Sequence, residues 1–242
     1  MKIKVNSTFN FCDGTLYTFI NPFSFRVLLS APDRTAIFEN FVIYPDGISL
    51  SKVLSIFKKK VERTSFDDTS IAPTVFKLIS NKNLSLGIIG SSEQTITTAK
   101  HIINKKYLIN NIKCHSGYFS EEEKLGVLNS LLNCDIVISS MGTPRQETIL
   151  MELKALGWKG TGFTCGGYFD QLTSVNGSKY YPLLIDNLNL RWAYRIFKEP
   201  KRLWRRYLVD YPVGIVLFIR HIRNIRIAPD HRTPGITRQH NS

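Results

Sequence analysis

Along the first two-thirds of the chain, short continuous apolar runs alternate with longer stretches of mixed polarity. The runs are LYTFI (Leu16–Ile20), FVIYPDGIS (residues 41–49, a strand closing in a turn), LSLGIIG (84–90), a shorter one near Ile112, CDIVISS (134–140) and GTGFTCGG (160–167). Uninterrupted apolar runs of this length suit strands buried on both faces. The stretches between them carry helix-start signals. NPFSFRVLLSA has Asn21 as N-cap and Pro22 in the first turn. Ser91 and Gln94 have capping-box spacing, and Ser120 precedes Glu121, Glu122 and Glu123, which suit a first turn. Thr143-Pro144-Arg145-Gln146 reads as another capping box with proline at the first helical position. Residues 50–63 read as a helix ending in a basic face of Lys58, Lys59 and Lys60, and GTGFTCGG reads as the last strand. The alternation predicts an α/β fold: a mostly parallel, Rossmann-like sheet with helices on both faces.

After Pro182 the character changes to helical, basic and aromatic, so the chain divides into an α/β domain (1–190), a basic helical C-terminal appendage (191–227) and a polar tail (228–242) expected to be disordered. The formal charge of +13, from 32 Lys and Arg against 19 Asp and Glu, calls for an anionic partner. The cations concentrate in the appendage, where Arg191, Arg195, Arg202, Arg205 and Arg206 interleave with Trp192 and Trp204. That pattern suits a membrane interface, a docked helix pair or RNA. No apolar run approaches the roughly twenty residues of a membrane span, and the N-terminal segment lacks a signal peptide's apolar core. The four cysteines are far apart, as expected of free thiols in a reducing cytoplasm.

Ligands of open parallel sheets bind at the carboxyl ends of the strands. Four glycine-containing loops fall there: Pro45-Asp46-Gly47, Gly90-Ser91-Ser92, Gly142-Thr143-Pro144-Arg145-Gln146-Glu147 and Gly166-Gly167-Tyr168-Phe169-Asp170. Any α/β protein needs such turns, but four of them with Arg145 alongside favour a nucleotide or phosphate-bearing ligand. Asp46 is the best candidate for a reacting carboxylate, a general base at a strand end. Asp-Gly is also a common turn pair, so a structural reading stands beside that one. Asp170 reads as a binder of ligand hydroxyls or amides, and Glu147 either as a residue of the site or as an acid that favours the first helical turn. No metal-ligand spacing and no Asp-x-Asp pair is present, so no metal and no cofactor is expected.

YPDGIS, GTPRQE, GGYFD and LRWAYRIFKEPKRLWRRYL, in that order, resemble the WecG/TagA/CpsF family of bacterial glycosyltransferases, over about residues 17–211. The resemblance implies transfer from a UDP-sugar donor to a glycan acceptor linked to undecaprenyl diphosphate, a polyprenyl carrier, with inversion and without metal. It implies that Asp46 is catalytic and that the loops of Asn21, Gln146 and Asp170 line the donor site. Tyr118 would lie near the base, and the arginines of the appendage would close the site and hold an anionic membrane surface. Nucleic acid is not an expected partner, and the expected location is peripheral, on the cytoplasmic face of the cell membrane.

Three departures bear on the sugars. Tyr180-Tyr181-Pro182 stands where many members have Arg-Ala-Pro, Phe19 where many have threonine, and Arg191 where glutamate is common. N-acetylmannosamine, its uronic acid, glucose and glucuronic acid all stay open as the transferred sugar. A nucleotide- or RNA-binding protein without transfer chemistry is the alternative reading.

Overall fold

Eight parallel strands form one sheet in the order β5-β4-β6-β7-β2-β3-β1-β8. They are β1 (Ile3–Val5), β2 (Leu16–Ile20), β3 (Phe41–Pro45), β4 (Leu86–Gly90), β5 (Ile112–His115), β6 (Ile136–Ser140), β7 (Thr161–Thr164) and β8 (Ile225–Ile227). The computed structural model describes residues 2–178, 180, 182, 185 and 190–228. The expected tail therefore lies outside the described residues from Pro229 on.

Both faces of the sheet are covered, and side-chain alternation along β2 shows how. Leu16 and Ile20 join a core with Phe25 and Leu28 of α1 (Pro22–Ser30), Ile37 of α2 (Arg34–Asn40), Leu54 of α3 (Ile48–Phe57), Leu131 of α6 (Glu121–Leu131) and Leu150 of α7 (Arg145–Ala155). Tyr17 and Phe19 point the other way, into a core with Phe76 of α4 (Ala72–Asn81), Ile103 of α5 (Glu93–Tyr107) and Phe169 of α8 (Tyr168–Ser174). The period of two in a strand buried on both faces leaves no polar stripe, which explains the unbroken runs in the sequence.

Caps decide where several helices begin. Asn21 accepts from the Ser24 N–H at 3.0 Å, while Ser24 Oγ takes the Asn21 N–H at 2.8 Å. Ser120 and Glu123 make the same reciprocal pair at α6. At α5 the cap is Ser92 rather than Ser91, because the Ser91 N–H is taken by Ser140 O and the chain turns only one residue later. Thr143 does not cap α7. Its hydroxyl accepts from the Gln146 side-chain amide at 3.0 Å, and Pro144 precedes the first helical residue instead of occupying it. The helix expected over 50–63 runs from Ile48 to Phe57; the lysines lie beyond its end.

After residue 190 come α9 (Arg191–Lys198), α10 (Pro200–Arg205), one π turn (Arg206–Asp210) and α11 (Tyr211–Arg220). β7 is not the last strand. The chain returns as β8, which pairs with β1 in the register Ile3↔Ile225 to Val5↔Ile227. α11 is seated on α1: Phe218 meets Phe25 edge-on at 4.9 Å, Asp210 pairs with Arg26, and the Arg206 guanidinium lies 4.3 Å above the Phe23 ring. Gly214 permits the close approach, since a Cβ there would sit 2.0 Å from Pro22 O.

Candidate active site

All six central strands end at one edge, and the sheet order brings the four glycine-containing loops onto it. β4 leads outward to β5 while β6 leads back toward β7, so the chain parts between β4 and β6 and leaves a crevice there. A pocket of about 260 Å³ occupies this crevice. Its walls are Ser91, Ser92 and Thr95 from the start of α5, Gly117 and Tyr118 after β5, Ser140, Met141 and Arg145 after β6, and Asp170 of α8. Gly90 makes the crevice possible. At φ +135° its backbone lies so near β6 that a Cβ would be 2.4 Å from the Ser140 carbonyl. A larger concavity, about 500 Å³, lies by Lys77, Lys106 and Tyr107, where α4 and α5 end and away from these strand ends. It gathers none of the candidate residues, three of which line the smaller pocket instead.

Asp46 stands farther along the same edge, at the end of β3, half-buried. Its N–H is tied to Ile20 O at 2.7 Å, so β2 fixes its position. Burial pushes its carboxyl above the usual carboxylate range. The Arg63 guanidinium, a hydrogen bond from the Asn21 side chain and the Arg195 guanidinium oppose that rise, and Asp67 adds to it. Arg63 is held in turn by Asp67 and by Ser65, at 2.6 Å. Arg195, from α9, reaches both parts of the crevice. A Cβ built on Gly167 would lie 4.0 Å from Arg195 Nη2 and 3.8 Å from Asp170 Oδ2, and Arg195 also acts electrostatically on Asp46. Tyr211, at the start of α11, lies in the field of Asp46, Arg195 and Arg206, and burial raises its phenol. Among the described residues no three His, Cys, Asp or Glu side chains gather as a metal-ion site.

A polar pocket, a carboxylate raised by burial and a cation between them at the strand ends make a site for anionic-ligand chemistry. The family model described as "Glycosyl transferase WecG/TagA/CpsF family" matches residues 8–227. The chain belongs to the WecG/TagA/CpsF glycosyltransferase family. It is thus a glycosyltransferase, of the hexosyltransferase class. It is also similar to a Shigella boydii protein named UDP-Gal:alpha-D-GlcNAc-diphosphoundecaprenol beta-1,4-galactosyltransferase, 39% identical over 206 residues, 84% of each chain.

Within this glycosyltransferase, the residues expected from sequence separate into four places. Tyr118, Arg145 and Asp170 line the pocket, with Gly90 forming its seam against β6. Asn21 and Asp46 sit together at the β2 and β3 ends, with Arg195 between them and Gly167. Gly142 is exposed, Thr143 is half-buried and Gln146 is buried, and the last two shape the loops. Gln146 Oε1 accepts from the Gly166 N–H at 3.1 Å, and its Nε2 donates to Thr143 and Glu147, each at 3.0 Å. Its amide therefore holds the β7 loop in place and does not point into the pocket. Arg205, Trp192 and Trp204 are exposed on the appendage, while the side chains of Arg191 and Arg202 lie outside the described residues.

Glu147 is fully buried below these loops. Its Oε1 accepts from Thr18 Oγ1 at 2.8 Å, Thr18 accepts from Thr164 at 3.0 Å, and Oε2 has no partner. Burial lifts its carboxyl to about 7. It is more than a first-turn acid: it fastens α7 to β2 and β7. Arg63, Tyr211 and Thr95 also border the candidate site and were not singled out from sequence, whereas Ser92 belongs to the glycine-containing loop after β4.

Proposed function

We propose that this glycosyltransferase transfers a hexose from a UDP-sugar to a hydroxyl of a glycan carried on undecaprenyl diphosphate, in the assembly of bacterial surface polysaccharide. The observation that carries the reading is Asp46: a half-buried carboxylate, raised by burial and held by Asn21, on the strand-end edge it shares with the polar pocket. The nucleotide occupies the pocket, with Tyr118 against the base, Asp170 accepting from hydroxyls and Arg145 facing phosphate. The sugar extends past Gly167 toward Asp46. The acceptor hydroxyl gives its proton to Asp46 as its oxygen bonds to the anomeric carbon, and the bond from that carbon to UDP breaks. One displacement inverts the centre, and an α-linked donor would give the β linkage named for the Shigella boydii relative. The guanidinium groups of Arg195 and Arg145 take up charge developing on the diphosphate, so the step needs no metal ion and no cofactor.

That relative's name also specifies a diphosphoundecaprenol acceptor, which would place the reaction at a membrane. Among the described residues no helix is long and apolar enough to cross one. The appendage supports peripheral association with an anionic membrane surface on its cytoplasmic face: Trp192, Phe197, Trp204, Leu208 and Val209 are exposed among Lys198, Lys201 and Arg205. We assign residues 191–227 as the part that closes the crevice through Arg195 and Tyr211, and we assign nucleic acid no part in the function. The test is a panel of UDP-hexoses incubated, with a chelator, with a polyprenyl-diphosphate-linked GlcNAc acceptor and read by mass spectrometry. One UDP-hexose should give a disaccharide product; UDP binding with no product from any donor would overturn the reading.

A further inference from the structure

The segment between Gly47 and Thr64 leaves Asp46 and comes back to it. It runs out along α3 and returns so that the Thr64 N–H donates to Pro45 O at 3.0 Å, with Arg63 beside Asp46. Leu50, Ser51 and Leu54 bury the inner face of α3. The far end is different in kind: Ile56 is 76% exposed and Phe57 51%. Exposed Lys58, Lys59 and Lys60 follow directly, before Val61 tucks back into the core.

Burying Ile56 and Phe57 plays no part in the fold, and charge decides what suits them. A protein surface would have to accept two apolar side chains beside a run of three exposed lysines at a projecting tip. An anionic headgroup layer accommodates both, since apolar side chains reach the acyl boundary while lysine stems lie along it and their heads meet phosphates. The neighbouring element points the same way. α11 packs beside α3 and exposes Val213, Val216 and Ile219, ending in exposed Arg220.

We propose that the α3 tip, Ile56 to Lys60, is a membrane contact in its own right, separate from the aromatic face of α9 and α10. It rests on the reading of a lipid-linked acceptor and adds a consequence. Ten helical residues span about 15 Å, and both ends of the excursion are fastened at Asp46, so docking the tip fixes the height of that carboxylate above the leaflet. An acceptor sugar on a diphosphate also stands at a limited height, and the two must match.

The experiment uses the full chain and two variants, Ile56→Ser/Phe57→Ser and Lys58→Gln/Lys59→Gln/Lys60→Gln. Each is floated with vesicles of phosphatidylcholine alone and with phosphatidylglycerol added. Partition onto the anionic vesicles should fall about tenfold or more for both variants. Transfer to a vesicle-embedded acceptor should fall with it, while UDP affinity and transfer to a short-chain, water-soluble acceptor stay at wild-type level. Wild-type flotation by both variants would overturn the proposal. So would unchanged flotation with an altered sedimentation coefficient, which would assign the tip to self-association. If the wild-type chain transfers to no acceptor, the functional reading fails, while the flotation result still decides the membrane contact.

Discussion

The two halves of the crevice are built by different means. The pocket between β4 and β6 is made by the sheet itself: Gly90 against Ser140, the cap of α5 and the loop after β5, all within residues 90–170. The half around Asp46 is assembled from distant parts of the chain. Asn21 comes from the cap of α1 just after β2, Arg63 from the return of the α3 excursion, and Arg195 and Tyr211 from helices added after the α/β layers. The first half should hold a nucleotide with little rearrangement. The second depends on how the late helices seat on α1, through Phe218, Arg206 and Gly214. Binding and chemistry should therefore separate under mutation.

The sharpest break of that comparison is Arg195→Ala. It should lower kcat about 10²- to 10³-fold, the size of loss seen when a group stabilising transition-state charge is removed, with a much smaller change in UDP affinity. Arg195 also opposes the rise in the Asp46 pKa. Its loss should move the acid limb of the pH–rate profile to higher pH; a limb that stays put would separate Arg195 from Asp46. Next is Glu147, which joins the two halves from below. Its carboxyl sits at about 7 when folded against about 4.5 when unfolded, so the native state keeps a proton that the unfolded state has lost. The stability linked to that proton is fully present below pH 4.5 and is lost as pH rises through 7, roughly 3 kcal/mol in all. Urea unfolding at pH 5 and pH 8 should show the fall in wild type and a flatter profile in Glu147→Gln.

Within the pocket, Gly90→Ala places a Cβ against the Ser140 backbone at a φ that L-residues avoid. It should cost about 2 kcal/mol of stability and weaken UDP binding at least tenfold, measured by thermal unfolding and calorimetry. The smallest effect expected is that of Tyr118→Ala. Removing an exposed ring from the rim should weaken UDP binding about tenfold, through lost stacking, and leave kcat unchanged.

The same division governs what could be read in advance. LYTFI appears as β2 residue for residue, because a strand buried on both faces writes its burial into a continuous run. Asn21 and Ser120 were legible because a capping box is a local exchange of hydrogen bonds. Thr143 has the same spacing, yet its hydroxyl goes to the Gln146 side chain, a competition that spacing does not reveal. β1 and β8 are three residues each: β8 pairs with β1 across more than 200 positions of chain and β1 is held between β3 and β8, so neither has a periodicity of its own. The loops of the pocket half were visible as glycine-containing strand ends. Arg63 and Tyr211 were not, since only packing brings them to Asp46. Asp46 was a candidate base by its place at a strand end, the family motif implied the same role, and its raised carboxyl supports it physically. The transferred sugar was not legible, and the galactosyl donor in the relative's name adds one more hexose to test.

The central claim is that Asp46 takes the acceptor proton. Its most direct test is the pH–rate profile of wild type and Asp46→Asn at saturating UDP-sugar, with UDP affinity measured on both. Wild type should lose activity in acid with a midpoint above the ordinary carboxylate range. Asp46→Asn should bind UDP as wild type does and transfer about 10³-fold more slowly at every pH, without that acid limb. An Asp46→Asn protein that keeps the acid limb and a rate within tenfold of wild type would contradict the account.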